Sequence, residues 1–397
     1  MSAASVTFWL VAGGGALARW MSVAQAHKTL GARWRLDPAP PADAPAVRVS
    51  VVVPARDEGA VIDRLLTSLD AQDHRDLEVV VCDDRSTDDT GARARAHRCR
   101  VVEGSEPPAG WLGKPWAITT AAAATTGDIL CFVDADTWHD PAAIRTCVTF
   151  MEREQTDVLV VVSGHHLGTW PERWLMPFFW ASMLGFIDVE RADDPRRPND
   201  AMGNGQFWLV RRAAWEKIGG HAAVKDKLAE DVAIVRLLKA SGARSRLRFG
   251  PDLTRTRMYT SFGQLWRGFE KNAAVVDPAQ PKLSAALTIL AMGLLVQAEL
   301  WPWIVVVLAP SVGGLWAHPA ALGLAGLQLA AAWIGRAQVL AALCDAASGV
   351  RLSRHPLTFL GQPLGALLGL AAIGNSLQAQ LRGTTRWKGR RVAGTSL

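Results

Sequence analysis

The sequence predicts an α/β domain, built on a mostly parallel sheet with helices on both faces, together with transmembrane or interfacial helices. Short apolar, β-branched runs alternate with helical patterns between residues 47 and 282, which is typical of such sheets. Three long apolar stretches follow between residues 283 and 381, and each is long enough to span a membrane.

The alternating elements of the α/β domain follow one another from residue 49 onwards. The predicted strands are 49–53, 77–82, 100–102 and 128–133, and the predicted helices are 58–69, 87–96 and 116–125. Apolar residues in 58–69 recur on one helical face, whereas the strand segments are short and rich in valine. Ligands of such sheets bind at the carboxyl ends of the strands, so the chemistry should lie there.

The regions outside this domain predict attachment to a membrane. The apolar run Val6–Trp20 predicts an uncleaved anchor within residues 1–24, because a signal peptide would carry Lys or Arg before the run. Residues 25–46 form a proline-rich linker. The apolar stretches are 284–308, 319–344 and 357–381, and a water-soluble helical domain is the alternative to membrane helices. Residues 382–397 form a basic tail.

Composition argues against nucleic-acid binding. The net charge is +6, but the basic residues cluster beside apolar segments, as the cytoplasmic flanks of membrane helices do. There are 17 tryptophans and 1 tyrosine, and no basic-aromatic RNA motif. The five cysteines are scattered without metal-binding spacing, which predicts reduced thiols on the cytosolic side.

Polar residues directly follow three of the predicted strands. The first strand is followed by Pro54–Glu58 and the second by Asp83 and Asp84, whose carboxylates can accept hydrogen bonds from ribose and uracil. Asp88 and Asp89, further on, are predicted to cap the next helix. The fourth strand is followed by Asp134-Ala-Asp136, and two such carboxylates can hold Mn or Mg. A cation there could bridge the two phosphates of a nucleotide-sugar.

Together these motifs resemble the large inverting family-two glycosyltransferases, which have the Rossmann-like GT-A fold. The resemblance rests on residues 51–58, 81–88, 113–114, 133–136, 204–206, 219–221, 230–231, 264–267 and 387–390. Within the family, the chain looks most similar to membrane-bound enzymes that glycosylate carotenoid acids and related polyprenoid lipids.

The resemblance implies a role for each matching residue. The nucleotide-binding residues that it implies are Pro54, Ala55, Arg56, Glu58, Asp84, Lys114 and Asp134. The catalytic residues that it implies are Glu230, Asp231, Gln264 and Arg267, with Asp231 as the base and Asp136 as the ligand of a divalent metal. Gly268 stands where the family's QxxRW element has tryptophan. Arg85 replaces a turn glycine, so a different backbone shape is expected there.

The position of Asp231 supports this role independently of the resemblance. An inverting transfer needs one base to take the acceptor's proton. Asp231 begins a predicted helix, whose positive end should lower its pKa and keep it ionised.

These observations predict transfer of a hexose from a UDP-sugar to a hydroxyl or carboxylate of a membrane lipid of the carotenoid or polyprenoid type. The partners would be a nucleotide-sugar donor, a lipid acceptor and the membrane, with no nucleic acid. The alternatives are a glycolipid or hopanoid glycosyltransferase and a non-catalytic nucleotide-binding membrane scaffold. A processive polysaccharide synthase is disfavoured by the small number of spans and the missing tryptophan.

A cytoplasmic donor predicts a multi-pass protein of the cell membrane with its catalytic domain in the cytoplasm. Three simple spans would then put the basic tail outside, although Arg and Lys prefer the inside. Either residues 357–381 are re-entrant or interfacial and broken at Pro363, which we favour, or residues 284–316 form a tight hairpin.

Overall fold

The chain divides into two compact units in a computed structural model that describes residues 3–38, 46–273, 281–384, 386–387 and 390–391. The helical unit comprises the described residues within 1–31, 167–188 and 259–394, and the sheet unit comprises those within 32–166 and 189–258. Most of the proline-rich part of the predicted linker, half of the motif at 387–390 and most of the predicted basic tail lie outside the described residues. The limits predicted for the domains remain predictions.

Twelve strands and sixteen α-helices are formed by the described residues. The strands are β1 (Val49–Ala55), β2 (Leu77–Asp83), β3 (Arg100–Glu103), β4 (Ile129–Val133), β5 (Thr137–His139), β6 (Val158–Val162), β7 (Gly164–His165), β8 (Phe207–Arg211), β9 (Ser245–Phe249), β10 (Thr254–Thr256), β11 (Arg386–Trp387) and β12 (Arg390–Arg391). The helices are α1 (Ala3–Thr29), α2 (Ile62–Asp70), α3 (Thr90–Ala94), α4 (Gly113–Ala122), α5 (Ala143–Arg153), α6 (Trp170–Leu184), α7 (Val189–Asp193), α8 (Arg212–Lys217), α9 (Glu230–Ala240), α10 (Phe262–Asn272), α11 (Pro281–Glu299), α12 (Trp301–Val312), α13 (Pro319–Val339), α14 (Asp345–Ser348), α15 (Pro356–Leu360) and α16 (Gln362–Leu381).

The sheet unit is built on a seven-stranded sheet of order β3-β2-β1-β4-β8-β6-β9. All neighbouring strands are parallel except β8, which runs antiparallel to both β4 and β6. Apolar side chains of the sheet pack against α2 and α5 in one buried core. The mostly parallel sheet predicted from the sequence is therefore confirmed, and the carboxyl ends of β1, β2 and β4 lie at one edge.

The first two predicted helices begin later than their patterns indicated, because hydrogen bonds between distant segments hold the residues predicted to begin them in loops. Asp57 has a left-handed φ of 51°, and the N–H of Glu58 donates to Thr90 Oγ1 at 2.8 Å. Asp88 caps α3 by accepting from the N–H of Thr90 at 3.0 Å, whereas Asp89 makes no side-chain cap. The polar loops after β1 and β2 are thus joined to each other.

The helical unit contains the apolar stretches that follow residue 283. Among the residues described, three helices are long and apolar enough to cross a membrane, namely Lys282–Glu299, Pro319–Ser348 and Gln362–Leu381. The first predicted stretch breaks at Leu300, and the short helix α12 follows it. Pro363 lies in the first turn of α16, so the break expected at this proline falls before it, at Gly361. The predicted side of the C-terminal tail remains a prediction.

A charged residue of α13 donates hydrogen bonds to α6 at a place where a proline has removed a backbone N–H. Pro177 has no N–H, so it cannot donate to the carbonyl of Arg173 one turn earlier. Arg336, which is 3% exposed, donates from Nη2 to the carbonyls of Arg173 at 2.7 Å and Trp174 at 3.0 Å. Neighbouring helices commonly satisfy backbone groups that a proline frees in apolar surroundings. This contact explains why an arginine interrupts an otherwise uncharged helix.

Replacing Arg336 with methionine is therefore expected to destabilise the helical unit by about 1–3 kcal/mol, because the half-buried carbonyls of Arg173 and Trp174 lose their donor. Adding Pro177→Ala restores an N–H to α6 and should make the loss smaller. Thermal unfolding in detergent measures both effects, with Arg351→Met on the exposed surface as the matched control. An equal loss with and without Pro177 would contradict this explanation.

Candidate active site

The carboxyl ends of β1 and β2 bring together part of the predicted nucleotide site. The two strands are parallel neighbours, so Ala55 lies in register with Asp83. Arg56 Nη1 donates to the carbonyl of Asp84 at 3.0 Å and lies 3.8 Å from its carboxylate. Burial raises the pKa of the Asp84 carboxyl, although the guanidinium groups of Arg56 and Arg85 oppose this. This edge therefore presents a buried carboxylate, which suits recognition of a hydrogen-bond donor on a ligand.

Arg85 takes the left-handed conformation that glycine usually supplies. Its φ is 56°, its Nε lies 3.6 Å from the Asp84 carboxylate, and its Nη1 pairs with Glu106. The arginine itself adopts the positive φ, and ion pairs on both sides hold its side chain. The different backbone shape expected for this turn stays a prediction.

A lysine surrounded by carboxylates forms the centre of the site. Lys114 Nζ, in the first turn of α4, lies 2.8 Å from Asp134 Oδ1 and 2.9 Å from Glu230 Oε1. Asp134 directly follows β4, and Glu230 and Asp231 begin α9. Burial works against the charge of Lys114, but the carboxylates of Asp134, Glu230 and Asp231 hold its pKa well above the usual value. The protonated lysine thus ties the end of β4 to the start of α9.

Asp231 is held by backbone N–H groups. Its Oδ2 accepts from Gly205 at 2.8 Å, and its Oδ1 accepts from Val232 at 2.9 Å. Burial and the negative charge of Glu230 raise its pKa, and Lys114 and the two N–H groups do not cancel this effect. The lowered pKa predicted from the helix end is therefore wrong, because burial outweighs the helix end. The raised pKa makes the ionised carboxylate a stronger base.

These groups lie around one small cleft. Its lining residues are Pro54, Lys114, Ile118, Phe132, Val133, Asp134, Gly205, Trp208, His221, Glu230 and Asp231. Gly205 provides the space for the charged groups, since a Cβ there would lie 2.9 Å from Lys114 Nζ and 3.5 Å from Asp231 Oδ2. Sequence reasoning missed the bond from Gly205 to Asp231, because only the tertiary fold brings residues so distant in the chain together.

Asp136 follows the same strand as Asp134 but does not line the cleft. Its carbonyl accepts from Arg64 Nη2 at 3.3 Å, and its carboxylate acts electrostatically on the same guanidinium. Arg64 in turn stacks over the ring of Trp138 at 3.9 Å. The structure therefore brings Asp134, and not Asp136, into contact with Lys114.

The charge and the chemistry of these residues fit a divalent cation that is shared with a phosphate ligand. Three carboxylates surround one ammonium group, so a diphosphate entering the cleft would meet excess negative charge. Oxygen donors suit Mn²⁺ and Mg²⁺, and Mg²⁺ commonly binds one or two carboxylates together with substrate phosphates. Across the described part of the chain, no group of three His, Cys, Asp or Glu is placed to hold a metal alone. Asp134 lines the cleft and could hold such a shared cation there, whereas Asp136, the ligand that the resemblance implies, is not among the lining residues.

The two other predicted catalytic residues, Gln264 and Arg267, lie on α10 of the helical unit. Gln264 Oε1 accepts from the N–H of Thr260 at 2.9 Å and from its Oγ1 at 2.8 Å. Gly268 packs against Tyr259, and a Cβ at Gly268 would lie 2.4 Å from the Tyr259 ring. Packing against this tyrosine therefore leaves no room for the tryptophan of the family's element.

Comparison with known proteins shows that part of this chain is similar to sugar-transferring enzymes. Residues 50–219 match the model of the family "Glycosyl transferase family 2". The 4,4'-diaponeurosporenoate glycosyltransferases of Staphylococcus haemolyticus (strain JCSC1435) and Staphylococcus aureus (strain USA300) are 24% and 25% identical over 251 and 250 residues. The match covers 62% of this chain and 66% of each relative, which is just under two thirds of the relatives' length.

A solved structure with a similar fold extends this likeness to nearly the whole chain. It is the mannosyltransferase PcManGT from Pyrobaculum calidifontis in complex with GDP-Man and Mn²⁺, with a TM-score of 0.52 and 19% identity. The likeness covers 95% of this chain and 97% of that one. It confirms the predicted GT-A fold.

Proposed function

We propose that this protein is an inverting glycosyltransferase that moves a hexose from a UDP-sugar to a membrane lipid, and the match of residues 50–219 to the model of glycosyl transferase family 2 supports this. The observation that carries the proposal is the cleft in which Lys114 joins Asp134 to Glu230, with Asp231 beside them. It lies at the carboxyl ends of β1 and β4, where ligands of such sheets bind.

In this proposal each residue of the site has one task. Pro54, Ala55, Arg56, Glu58 and Asp84 hold the nucleoside, and Lys114 and Asp134 lie at the diphosphate. Asp231 takes the proton from an acceptor hydroxyl, and the oxygen of that hydroxyl bonds to the sugar's anomeric carbon. The bond from that carbon to the phosphate oxygen breaks in the same step, and the nucleoside diphosphate leaves with the electron pair. Gln264 and Arg267 are proposed to contact the diphosphate or the acceptor.

A divalent cation, Mn²⁺ or Mg²⁺, held by Asp136 and Asp134, would neutralise the charge of the leaving diphosphate. Mn²⁺ and GDP-Man are bound together by the archaeal mannosyltransferase, so its fold is compatible with such use. Lys114 supplies a second positive charge, and the three carboxylates around it favour the fully protonated form.

A lipid acceptor is supported by the helical unit. Of the candidate span Lys282–Glu299, only 6% is buried within the chain, so much of its apolar surface is available to lipid. The curated relatives act, by their name, on a carotenoid acid. We therefore propose a multi-pass protein of the cell membrane, with its sheet unit on the cytoplasmic side and a carotenoid or polyprenoid lipid as the acceptor.

Labelled nucleotide-sugars test this function directly. Membranes that contain the protein would be incubated with a panel of UDP- and GDP-sugars, followed by lipid extraction. Label in a carotenoid or polyprenoid fraction is the expected result, whereas label in hopanoid or diacylglycerol lipids supports the rival acceptors. Absence of transfer from every donor, with donor binding retained, would support a non-catalytic scaffold.

The pKa of Asp231 predicts the acid limb of the pH profile. The base acts only when ionised, so kcat/KM should fall as the pH falls through a pKa that lies above about 3.9, the usual value for aspartate. Glu230→Gln removes a neighbouring negative charge and should move this limb to lower pH. Glu216→Gln on α8 removes the same charge from a more exposed position and serves as the control. An unmoved limb in Glu230→Gln would contradict the assignment of the limb to Asp231.

A further inference from the structure

A second, three-stranded sheet begins directly after Asp136 and has one buried and one half-buried face. Its order is β5-β10-β7, with β10 antiparallel to β5 and parallel to β7. Successive side chains of a strand point to opposite faces of a sheet. The buried face consists of threonine and histidine side chains, namely Thr137, His139, His165, Thr254 and Thr256. The opposite face carries Trp138 and Arg255, which pair in register and are half-buried, so both remain partly open to a ligand.

Three arginines bring positive charge to this half-buried face. Arg257 follows Arg255 at the spacing of one face, and its N–H donates to the carbonyl of Asp136 at 3.3 Å, which continues the pairing of β10 with β5. Arg64 of α2 lies over the ring of Trp138 at 3.9 Å. The charges of Asp136 and Arg257 both act on the guanidinium of Arg64. The strands β5, β7 and β10 contain no acidic residue, so the carboxylate of Asp136 does not balance the three arginines, and the face favours an anion.

Two of these arginines have buried donors that the described part of the chain does not use. Nε of Arg64 and Nε of Arg255 are both buried and have no hydrogen-bond partner there. Buried donors of folded proteins are almost always bonded, and an unsatisfied one is unfavourable, so an acceptor supplied by a ligand would stabilise both. A carboxylate matches these donors, because guanidinium groups bind its two oxygens through parallel N–H groups.

We propose that Arg64, Arg255 and Arg257 form a binding site for the acidic head group, a carboxylate, of the lipid acceptor. This inference rests on the proposed function and narrows its acceptor to a lipid that carries an acidic group. Trp138 lies beside the arginines, so an apolar chain attached to the carboxylate would meet an aromatic ring that a free inorganic anion would not use. None of the three arginines lines the cleft around Lys114, which is the positive group placed for the donor's diphosphate.

Equilibrium binding of retinoic acid and of retinol tests the inference, because these probes share an apolar polyene chain and differ in the head group, carboxylate against hydroxyl. The full chain would be placed in phosphatidylcholine nanodiscs above the pKa of the carboxyl group, with binding to protein-free discs subtracted. We expect the wild type to bind the acid about 10- to 100-fold more tightly than the alcohol, the usual contribution of hydrogen bonds to a charged group. Arg255→Gln should lose most of this difference, and Arg255→Lys, which keeps the charge, should retain part of it. Arg244→Gln, on the exposed surface of the sheet unit, is the matched control.

Two competitors identify the anion that the arginines bind. Inorganic phosphate and a UDP-sugar, each at the concentration of the probe, should both leave retinoic acid bound. Displacement by inorganic phosphate would indicate a site for free anions, and weaker UDP-sugar binding in Arg255→Gln would assign this arginine to the donor's diphosphate. Either result overturns the inference, as does equal affinity of the wild type for the two probes. If the wild type transfers sugar from no donor in the panel, the proposed function fails, whereas the difference between acid and alcohol still decides whether the arginines form this site.

Discussion

Replacing Asp231 with asparagine is expected to lower kcat by about 10²- to 10⁴-fold for a hydroxyl acceptor, the usual contribution of a general base. Asparagine keeps the size of the side chain, and its single oxygen can still accept from the N–H of Gly205, which is bonded to Asp231 at 2.8 Å, whereas the bond from the N–H of Val232 is lost. The cleft should therefore keep its shape, and donor affinity should remain near that of the wild type. Turnover of labelled lipid and calorimetric titration with the donor measure the two quantities separately.

Asp76→Asn is the control for this variant, because Asp76 is an exposed aspartate that precedes β2 at the other end of the sheet. Wild-type turnover by Asp231→Asn with a hydroxyl acceptor would refute the role of the base. A carboxylate acceptor is already ionised at neutral pH and has no proton to lose, so a much smaller loss is expected with a lipid acid. The size of the effect therefore also reports on the chemistry of the acceptor.

Replacing Asp136 with alanine is expected to abolish the metal-dependent part of donor binding. The side chain follows β4 and, in the proposed function, shares a cation with the donor's diphosphate. Affinity for the nucleotide-sugar in the presence of Mn²⁺ should fall to the level measured for the wild type in a chelator. Fluorescence or calorimetric titration with and without Mn²⁺ measures this difference and does not require turnover.

Asp128→Ala is the matched control, since Asp128 is exposed and lies just before the opposite end of the same strand. If metal-stimulated donor binding persists in Asp136→Ala but disappears in Asp134→Ala, the metal ligand is Asp134, which the structure places 2.8 Å from Lys114. Metal-stimulated binding that persists in both variants would refute a cation site at this strand end.

Local patterns predicted the sheet well but predicted helix starts poorly. The strands at 49–53, 77–82 and 128–133 were recognisable because buried parallel strands are short and almost wholly apolar. The starts of α2 and α3 were not, because Glu58 and Asp88 bond to residues of a neighbouring loop. Such bonds depend on which loops become neighbours, and a helical pattern does not contain that information.

The candidate site, like the fold, could be predicted from the sequence only in part. The carboxylates after β4 and at the start of α9 could be found from the sequence, because both motifs stand next to recognisable elements. Their ionisation could not, since the pKa of Asp231 depends on burial and on Glu230 as well as on the helix end. The hydrogen bond from Gly205 to Asp231 also required the folded chain.

The sequence by itself determined the class of fold, the strand ends that carry carboxylates and the apolar segments that can meet lipid. Each of these properties depends on residues that are close together in the chain. Only the tertiary structure decided that Lys114 contacts Asp134 and Glu230, that Arg336 donates to the carbonyl freed by Pro177, and that Gly205 donates to Asp231. These contacts join segments that are distant in the chain. Burial where the segments meet sets the charge states of the groups and the strength of the contacts.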